Sequence, residues 1–408
     1  MVELYPILSE DGKVTSHVAS YGEFTLLISN EERPRLFLWF GEEAIEVTEL
    51  FREKGGVLNI GEYTIDIGQW FEIVTKSTFY TFEDLDEYIA ELSKHIRKVI
   101  ENKSVLLSYS GGKDSTASLI TLSKLREYVS FRLYVCYTYI PYLENVKNLD
   151  FVQKVSEKLG LTIEVLSPPR NIVKKYLLRY GLPYRRARWC TYLKVRPLRE
   201  FMKKNCIDFR VVGDRLTECE KRWKRLIELA LSYRYVGGRE LRVTFTMTLL
   251  DVVRLCREND LVNPLYVRGM SRVSCVYCPY KTMYELYIEN IDELEDPGLI
   301  EHVLKRSYEK WYADKVSYED FIRFHLWRYV PNVAKMFSVL RRSVKEHVRE
   351  STTLNVKTVA AWYRSLWTNP LPKVDVVRDV YEIVRRVKRY NVRELILHQQ
   401  PTLSSLVQ

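Results

Sequence analysis

Apolar and polar positions alternate along this chain in three successive rhythms. From Met1 to about Tyr80 the apolar runs are short and rich in β-branched and aromatic residues: TLLIS, RLFLWF, YTIDI and WFEIV, separated by glycine and charged turns. This pattern predicts strands and a small β-rich or α+β unit over 1–80. A helical period follows over Glu83–Asn102, with Leu85, Ile89, Leu92, Ile96 and Val99 on one face and Thr81 as the N-cap. Strand and helix patterns then alternate. The strands are expected at Ser104–Ser108, in FRLYVCYTYI, in LTIEVLS and near Asp208–Val212, and helices at Ser115–Val129 and Asn145–Leu159. Such alternation predicts βαβ units, a parallel sheet covered on both faces, and an α/β unit over 81–285. The last stretch, 286–408, reads as helical, with amphipathic runs EDFIRFHLWRYV, NVAKMFSVLRRSVKEHV and VVRDVYEIVRRVKRY.

The composition is that of a globular protein, with 46% hydrophobic and 28% charged residues over 408 positions. The amino terminus lacks a basic region followed by an apolar one, and no run approaches the ~18 apolar residues of a membrane span. The expectation is a cytoplasmic chain without membrane association. The net charge of +10 suits a polyanionic partner, with solvated surface lysine and arginine as the bland alternative. Seven cysteines, an odd number, favour metal or redox chemistry over disulfides for any that cluster. Cys136, Cys206 and Cys256 fall in apolar runs and are expected in the core.

One segment carries specific chemistry. SYSGGKDSTASL, Ser108–Leu119, joins an apolar strand to a helical run through two glycines. Glycine tolerates positive φ and lets a ligand approach the backbone. The helix start beyond it offers unpaired N–H groups at the positive end of the helix dipole, a setting that binds phosphate. Ser108, Ser110, Gly111, Gly112, Lys113 and Ser115 are the candidate nucleotide-binding residues. Asp114 would repel a bare phosphate but suits one that arrives with Mg²⁺. Two further segments stand out, RWCTYLKVRPL and LYVRGMSRVSCVYCPY. Cys275 and Cys278 form a Cys-x-x-Cys pair that could bind a metal or cluster or act as a redox couple.

Taken in order, the glycine loop, the Trp-Cys-Thr segment, VVGDRLTECEKR and the Cys-x-x-Cys segment resemble the phosphoadenosine phosphosulfate (PAPS) reductase family of the PP-loop ATP pyrophosphatase, or adenine nucleotide alpha hydrolase-like, superfamily. The resemblance runs from about Ser104 to Tyr280 and leaves both ends of the chain outside. It maps Gly213, Arg215, Glu218 and Arg222 onto a family nucleotide motif, with Cys219 where serine is usual. It implies a 4Fe-4S cluster on Cys190, Cys275 and Cys278. Trp189 stands in the place of a fourth cysteine, so Cys219, another side chain or no protein group completes the set; zinc is the alternative.

Two departures separate the chain from the family's reductases. No cysteine follows Cys278, and the Ser-Gly-Gly-Lys-Asp-Ser loop is intact. The resemblance therefore implies an ATP-dependent sulfurtransferase that adenylates tRNA or DNA and then thiolates it, with Asp114, Lys113 and Arg215 catalytic and the sulfur donor undefined. Arg185, Arg186 and Arg188, with Lys221, Arg222, Lys224 and Arg225, are the candidate contacts to a polynucleotide. The rival expectations are a PAPS-type sulfonucleotide reductase using an external thiol, and a non-catalytic nucleotide-sensing or nucleic-acid-binding subunit.

Overall fold

The computed structural model describes residues 4–29, 34–52, 57–60, 63–66, 80–218, 220–348, 352–379 and 381–383. Within them the expected strand–helix alternation folds into a six-stranded, mostly parallel sheet. Its strands lie in the order Ile163–Leu166, Arg132–Thr138, Ser104–Tyr109, Phe209–Val211, Glu240–Leu241 and Val236–Gly237, the last pair antiparallel. The first crossover leaves Ser104–Tyr109 through the helix Lys113–Leu125 and returns to Arg132–Thr138 on one side. Phe209–Val211 pairs parallel on the other side. The chain direction across the sheet therefore reverses at Ser104–Tyr109. A crevice opens at such a switch point beyond the carboxyl ends of the strands, and residues 110–112 occupy it. Val105, Leu106, Leu107 and Tyr109 are all buried, as a strand covered on both faces requires.

The helix expected over Glu83–Asn102 runs Leu85–Ile100. Its cap is Asp84, whose carboxylate accepts from the Asp86 and Glu87 N–H groups at 2.7 and 3.2 Å. Thr81 lies instead in the short strand Tyr80–Phe82, and its hydroxyl donates to Asp251 at 2.5 Å. Val99 is exposed and Ile100 takes the core position, a one-residue drift of the apolar stripe at the last turn.

The amino-terminal region forms a six-stranded antiparallel sheet, Tyr5–Leu8, Val14–Tyr21, Phe24–Ser29, Arg35–Trp39, Glu43–Glu46 and Thr353–Asn355. TLLIS and RLFLWF are strands as expected; WFEIV lies outside the described residues. The sixth strand comes from far along the chain, in a region read as helical. It leads into the helix Val356–Thr368, which packs on Tyr5–Leu8. Two of the helical runs change form. EDFIRFHLWRYV breaks at His325, where φ is +47°, and VVRDVYEIVRRVKRY begins as the strand Asp375–Val377 against Tyr80–Phe82. Adjacent β-branched valines suit that edge better than a helix. Cys136 and Cys256 are buried as expected, but Cys206 is exposed, in a turn with φ of +48°.

Sheet and helices share one apolar cluster, in which Trp39, Tyr284, Phe337 and Tyr363 are buried together. A polar knot sits inside it. Glu23, in the two-residue turn between Val14–Tyr21 and Phe24–Ser29, is 1% exposed and ion-paired with both Arg328 and Arg341. Tyr329 donates to the same carboxylate at 2.5 Å. Burial pushes the Glu23 carboxyl up, but the two guanidiniums outweigh it and hold its pKa below the ordinary 4.5. The stabilisation is therefore fully present above the unfolded pKa and is lost as pH falls through the lower folded value. Glu23→Ala should cost about 3–5 kcal/mol by leaving two buried guanidiniums uncompensated. Urea melts of both proteins at pH 7 measure this, and the gap between them should narrow below about pH 4.

Candidate functional site

The residues singled out in the glycine loop are brought together at the switch point. Gly111 takes φ of +73°, a left-handed conformation that a residue with a side chain adopts only with strain, whereas Gly112, the helix N-cap, is extended at φ −85° and ψ 161°. One glycine is thus required by the backbone, and the other leaves the loop surface open. Ser110 and Ser115 close the turn with side chains: the hydroxyls lie 3.0 Å apart, the Ser110 N–H donates to Ser115 Oγ at 3.2 Å, and Ser115 donates to the Gly112 carbonyl at 2.9 Å. Ser108 sits in the strand with its side chain outside the buried set.

Asn263 and Tyr266 were not singled out from sequence, and both hold this loop. The Asn263 amide donates to the Gly111 carbonyl at 3.0 Å while its oxygen caps the short helix Pro264–Val267. The Tyr266 hydroxyl accepts from the Lys113 N–H at 2.8 Å. Its ring stacks on Trp367 with centroids 4.3 Å apart. The Asn-Pro pair, an N-cap with proline at the first helical position, is the signal that could have drawn attention to them. Lys113 is buried, with its ammonium 5.7 Å from the centre of the Tyr5 ring.

Asp114 lies in the first helical turn. Arg215, which follows the neighbouring strand Phe209–Val211, donates from Nε to one carboxylate oxygen at 2.5 Å, and Lys113 Nζ is 3.3 Å from the other. Burial would push this carboxyl up; Arg215 and then Lys113 override it and hold Asp114 well below the usual carboxylate range. Arg215 itself is 1% exposed, so the charge is fixed in place. Gly213 passes close to Asp114, and a side chain there would begin 3.9 Å from the Asp114 Cβ. Arg222 pairs with Glu218 and, at 3.4 Å, with Asp214, which Arg225 also holds. Cys219 and the side chain of Lys221 lie outside the described residues.

The three remaining thiols draw together without enclosing an ion. Cys190 opens the helix Trp189–Lys204, and Cys275 and Cys278 bracket one turn in which the Cys278 N–H donates to the Cys275 carbonyl at 3.1 Å. Burial is the main influence on Cys190 and Cys275, raising both and taking Cys275 to about 12; each is also raised by the neighbouring thiols. Lys194 and Arg188 oppose that rise, and Arg272 Nη2 lies 4.0 Å from Cys278 Sγ. No group of three or more Cys, His, Asp or Glu side chains is placed to hold one metal ion among the described residues. The donor chemistry fits a thiolate-bound group: three soft ligands ringed by three cations that would balance their charge.

Of the basic residues expected to face a polynucleotide, Arg185 does something else. Its guanidinium is enclosed by Tyr21, Tyr280 and Tyr329, 5.1–5.4 Å from their ring centres, and donates to the Pro279 carbonyl at 2.9 Å. Arg186, Arg188, Lys224 and Arg225 are exposed.

Residues 104–281 match the phosphoadenosine phosphosulfate reductase domain. The match covers this central segment, less than half of the chain, and the ends of the chain lie beyond it. An uncharacterised protein of Methanocaldococcus jannaschii is 28% identical over 64% of this chain and 65% of its own length. A second from the same organism is 30% identical over 60% of this chain and 50% of its own. The chain thus spans about half to two thirds of the curated relatives it matches. Among solved structures, the U34-tRNA thiolase NcsA of Methanococcus maripaludis with its 4Fe-4S cluster aligns at a TM-score of 0.33 and 13% identity, over 67% of this chain and 86% of that one. The PAPS reductase of Candida auris in a phosphate complex aligns at 0.31 and 14%, over 49% and 98%. Among the described residues no helix is long and apolar enough to cross a membrane.

The two glycines should respond differently to substitution. Gly111→Ala forces a side chain into the left-handed region and should cost about 1–2 kcal/mol. Gly112→Ala meets only ordinary contacts, at 3.4 Å from Ser110 Oγ and 3.5 Å from the Tyr266 hydroxyl. It should stay within about 0.5 kcal/mol of the parent. Denaturant melts of the two variants make the comparison.

Proposed function

We propose that the protein is an ATP-dependent sulfurtransferase acting on a polynucleotide. In this reading the Gly111 and Gly112 N–H groups, with Ser110 and Ser115, hold the pyrophosphate of ATP. Lys113, Arg215 and Arg222 neutralise phosphate charge, and Asp114 holds Mg²⁺ directly or through water. A nucleic-acid oxygen attacks the α-phosphate, pyrophosphate leaves, and the oxygen becomes part of an AMP ester. A sulfur nucleophile then attacks the adjoining carbon and AMP departs with the oxygen. Cys190, Cys275 and Cys278 would hold a 4Fe-4S cluster, or zinc, which when bound would supply a site for the sulfur donor. The cationic ring of Lys194, Arg188 and Arg272 supports a thiolate-bound group there.

The observation that carries the reading is the placement of Asp114. A carboxylate kept ionised by Arg215 and Lys113, at a helix N-terminus beside an open glycine turn, is arranged to receive a phosphate together with its cation.

Exchange of labelled pyrophosphate into ATP, with Mg²⁺, tests the adenylating step. The parent protein should catalyse it in the presence of the nucleic acid substrate, and Asp114→Asn should lower the rate by roughly 100-fold or more, the scale of losing one electrostatic catalytic group. No exchange with any RNA or DNA, together with thiol-dependent reduction of a sulfonucleotide, would put the reductase reading in its place. Anaerobic purification should give a brown protein with about four irons per chain. Cys275→Ala should bleach it, while a colourless protein with stoichiometric zinc would replace the cluster by the simpler metal.

A further inference from the structure

A cavity of about 460 Å³ lies beside the cysteine helix, away from the glycine loop. Its size is within the ~300–1,000 Å³ of small-molecule sites. It forms where the helix Arg170–Tyr180 and the segment entering Trp189–Lys204 face the carboxyl-terminal helices. The walls are aromatic, with Tyr176, Tyr180 and Trp189 on one side and Trp311, Tyr312 and Trp327 on the other. Tyr176 packs against both Tyr180 and Trp189, with centroids 5.5 and 5.4 Å apart, which fixes that wall. At Gly181, where φ is +74°, a side chain would begin 2.5 Å from Ser307 Oγ, so glycine allows the two walls to meet at the edge.

Two features define what would fill this space. The first is the aromatic lining itself. The second is positive charge beside it: Arg179 lies over Tyr180 at 5.2 Å, Lys310 over Trp311 at 5.0 Å, and Arg188 lines the cavity itself. An aliphatic ligand would make no use of the rings or the cations. A flat aromatic ring attached to an anionic chain uses both.

We propose that this cavity receives one unstacked base of a single-stranded polynucleotide, its ring between the aromatic walls and its phosphates against Arg179, Arg188 and Lys310. The proposal rests on the polynucleotide reading above and adds the place where the base is held. It also gives Trp189 a role: the residue standing where the resemblance leads one to expect a cysteine becomes part of the base platform, one position before Cys190.

The test is equilibrium binding without ATP, so it is independent of pyrophosphate exchange. A fluorescently labelled single-stranded dodecamer, as RNA and as DNA, is compared with the same backbone carrying abasic sites. The parent protein should bind at least one base-bearing strand roughly 5- to 100-fold more tightly than its abasic form, the range of base–aromatic stacking. Trp311→Ala should bind both forms alike and keep the salt dependence, and Trp311→Phe should restore the preference. Tyr180→Ala, at a position 43% exposed, gives the same comparison should the tryptophan variant fold poorly. Whichever polymer shows the preference is the source of the base. Equal binding of base-bearing and abasic strands by the parent, an undiminished preference in folded variants, or no binding of either polymer would overturn the proposal, even if exchange activity is found.

Discussion

The buried carboxylate of Glu23 is the contact on which the arrangement of this molecule depends. Removing a charge from water is expensive, and the cost is offset only where opposite charges and hydrogen bonds meet it fully. Here the partners come from distant parts of the chain. Arg328 and Arg341 belong to the carboxyl-terminal helices, and both extend the network past Glu23: Arg328 donates to the Lys281 carbonyl at 2.8 Å, just beyond the Cys-x-x-Cys turn, and Arg341 to the Trp39 carbonyl at 2.8 Å. Tyr329, bonded to the same carboxylate, presents its ring to Arg185, which leads into the cysteine helix. Replacing such a knot by apolar residues of equal volume could leave stability unchanged. What the charges contribute is position, because only one docking of the sheet against the helices satisfies all three at once.

The candidate nucleotide site is built on the same logic at smaller scale. A strand–turn–helix segment supplies the loop, and parts that lie outside it hold its shape. Asn263 fixes the Gly111 carbonyl, Tyr266 takes the Lys113 N–H, and Trp367, from the helix following the sixth strand of the amino-terminal sheet, backs the Tyr266 ring. Tyr5 of that sheet stands over Lys113. The flanking regions therefore do more than surround the central unit, since their aromatic residues set the position of its loop. Because Trp367 backs the ring whose hydroxyl takes the Lys113 N–H, a substitution at Trp367 would be felt at Lys113.

Much of the parallel core was legible from sequence because each of its signals is local. A strand covered on both faces is a continuous apolar run such as Val105–Leu107, and a glycine pair followed by a helical period marks the turn beyond it. The pairing of Asp114 with Arg215 could be anticipated only through the family resemblance, since the two are a hundred residues apart and meet because adjacent strands end together. The errors came where local and distant forces disagree. Thr81 looks like an N-cap, but the buried Asp251 takes its hydroxyl into a strand and leaves the cap to Asp84. Val376 and Val377 read as part of an amphipathic helix until the free edge of Tyr80–Phe82 is known. Arg185 belonged by composition to a basic surface, and three tyrosines from separate segments enclose it.

The start of the cysteine helix ties these observations to chemistry. Successive residues on a helix point about 100° apart, so neighbours in sequence face different surroundings. Trp189 lines the aromatic cavity, and Cys190 is within electrostatic reach of Cys278. One turn of backbone thus forms a wall shared by the cavity and the thiol group, with Arg188 beside both. Under the proposal above, a planar ring seated against Trp189 would be placed relative to Cys190 by the helix backbone rather than by a flexible loop. Because Tyr329, bonded to Glu23, presents its ring to Arg185, which precedes this turn by only a few residues, the buried charge that docks the outer regions also bears on a segment common to both candidate sites.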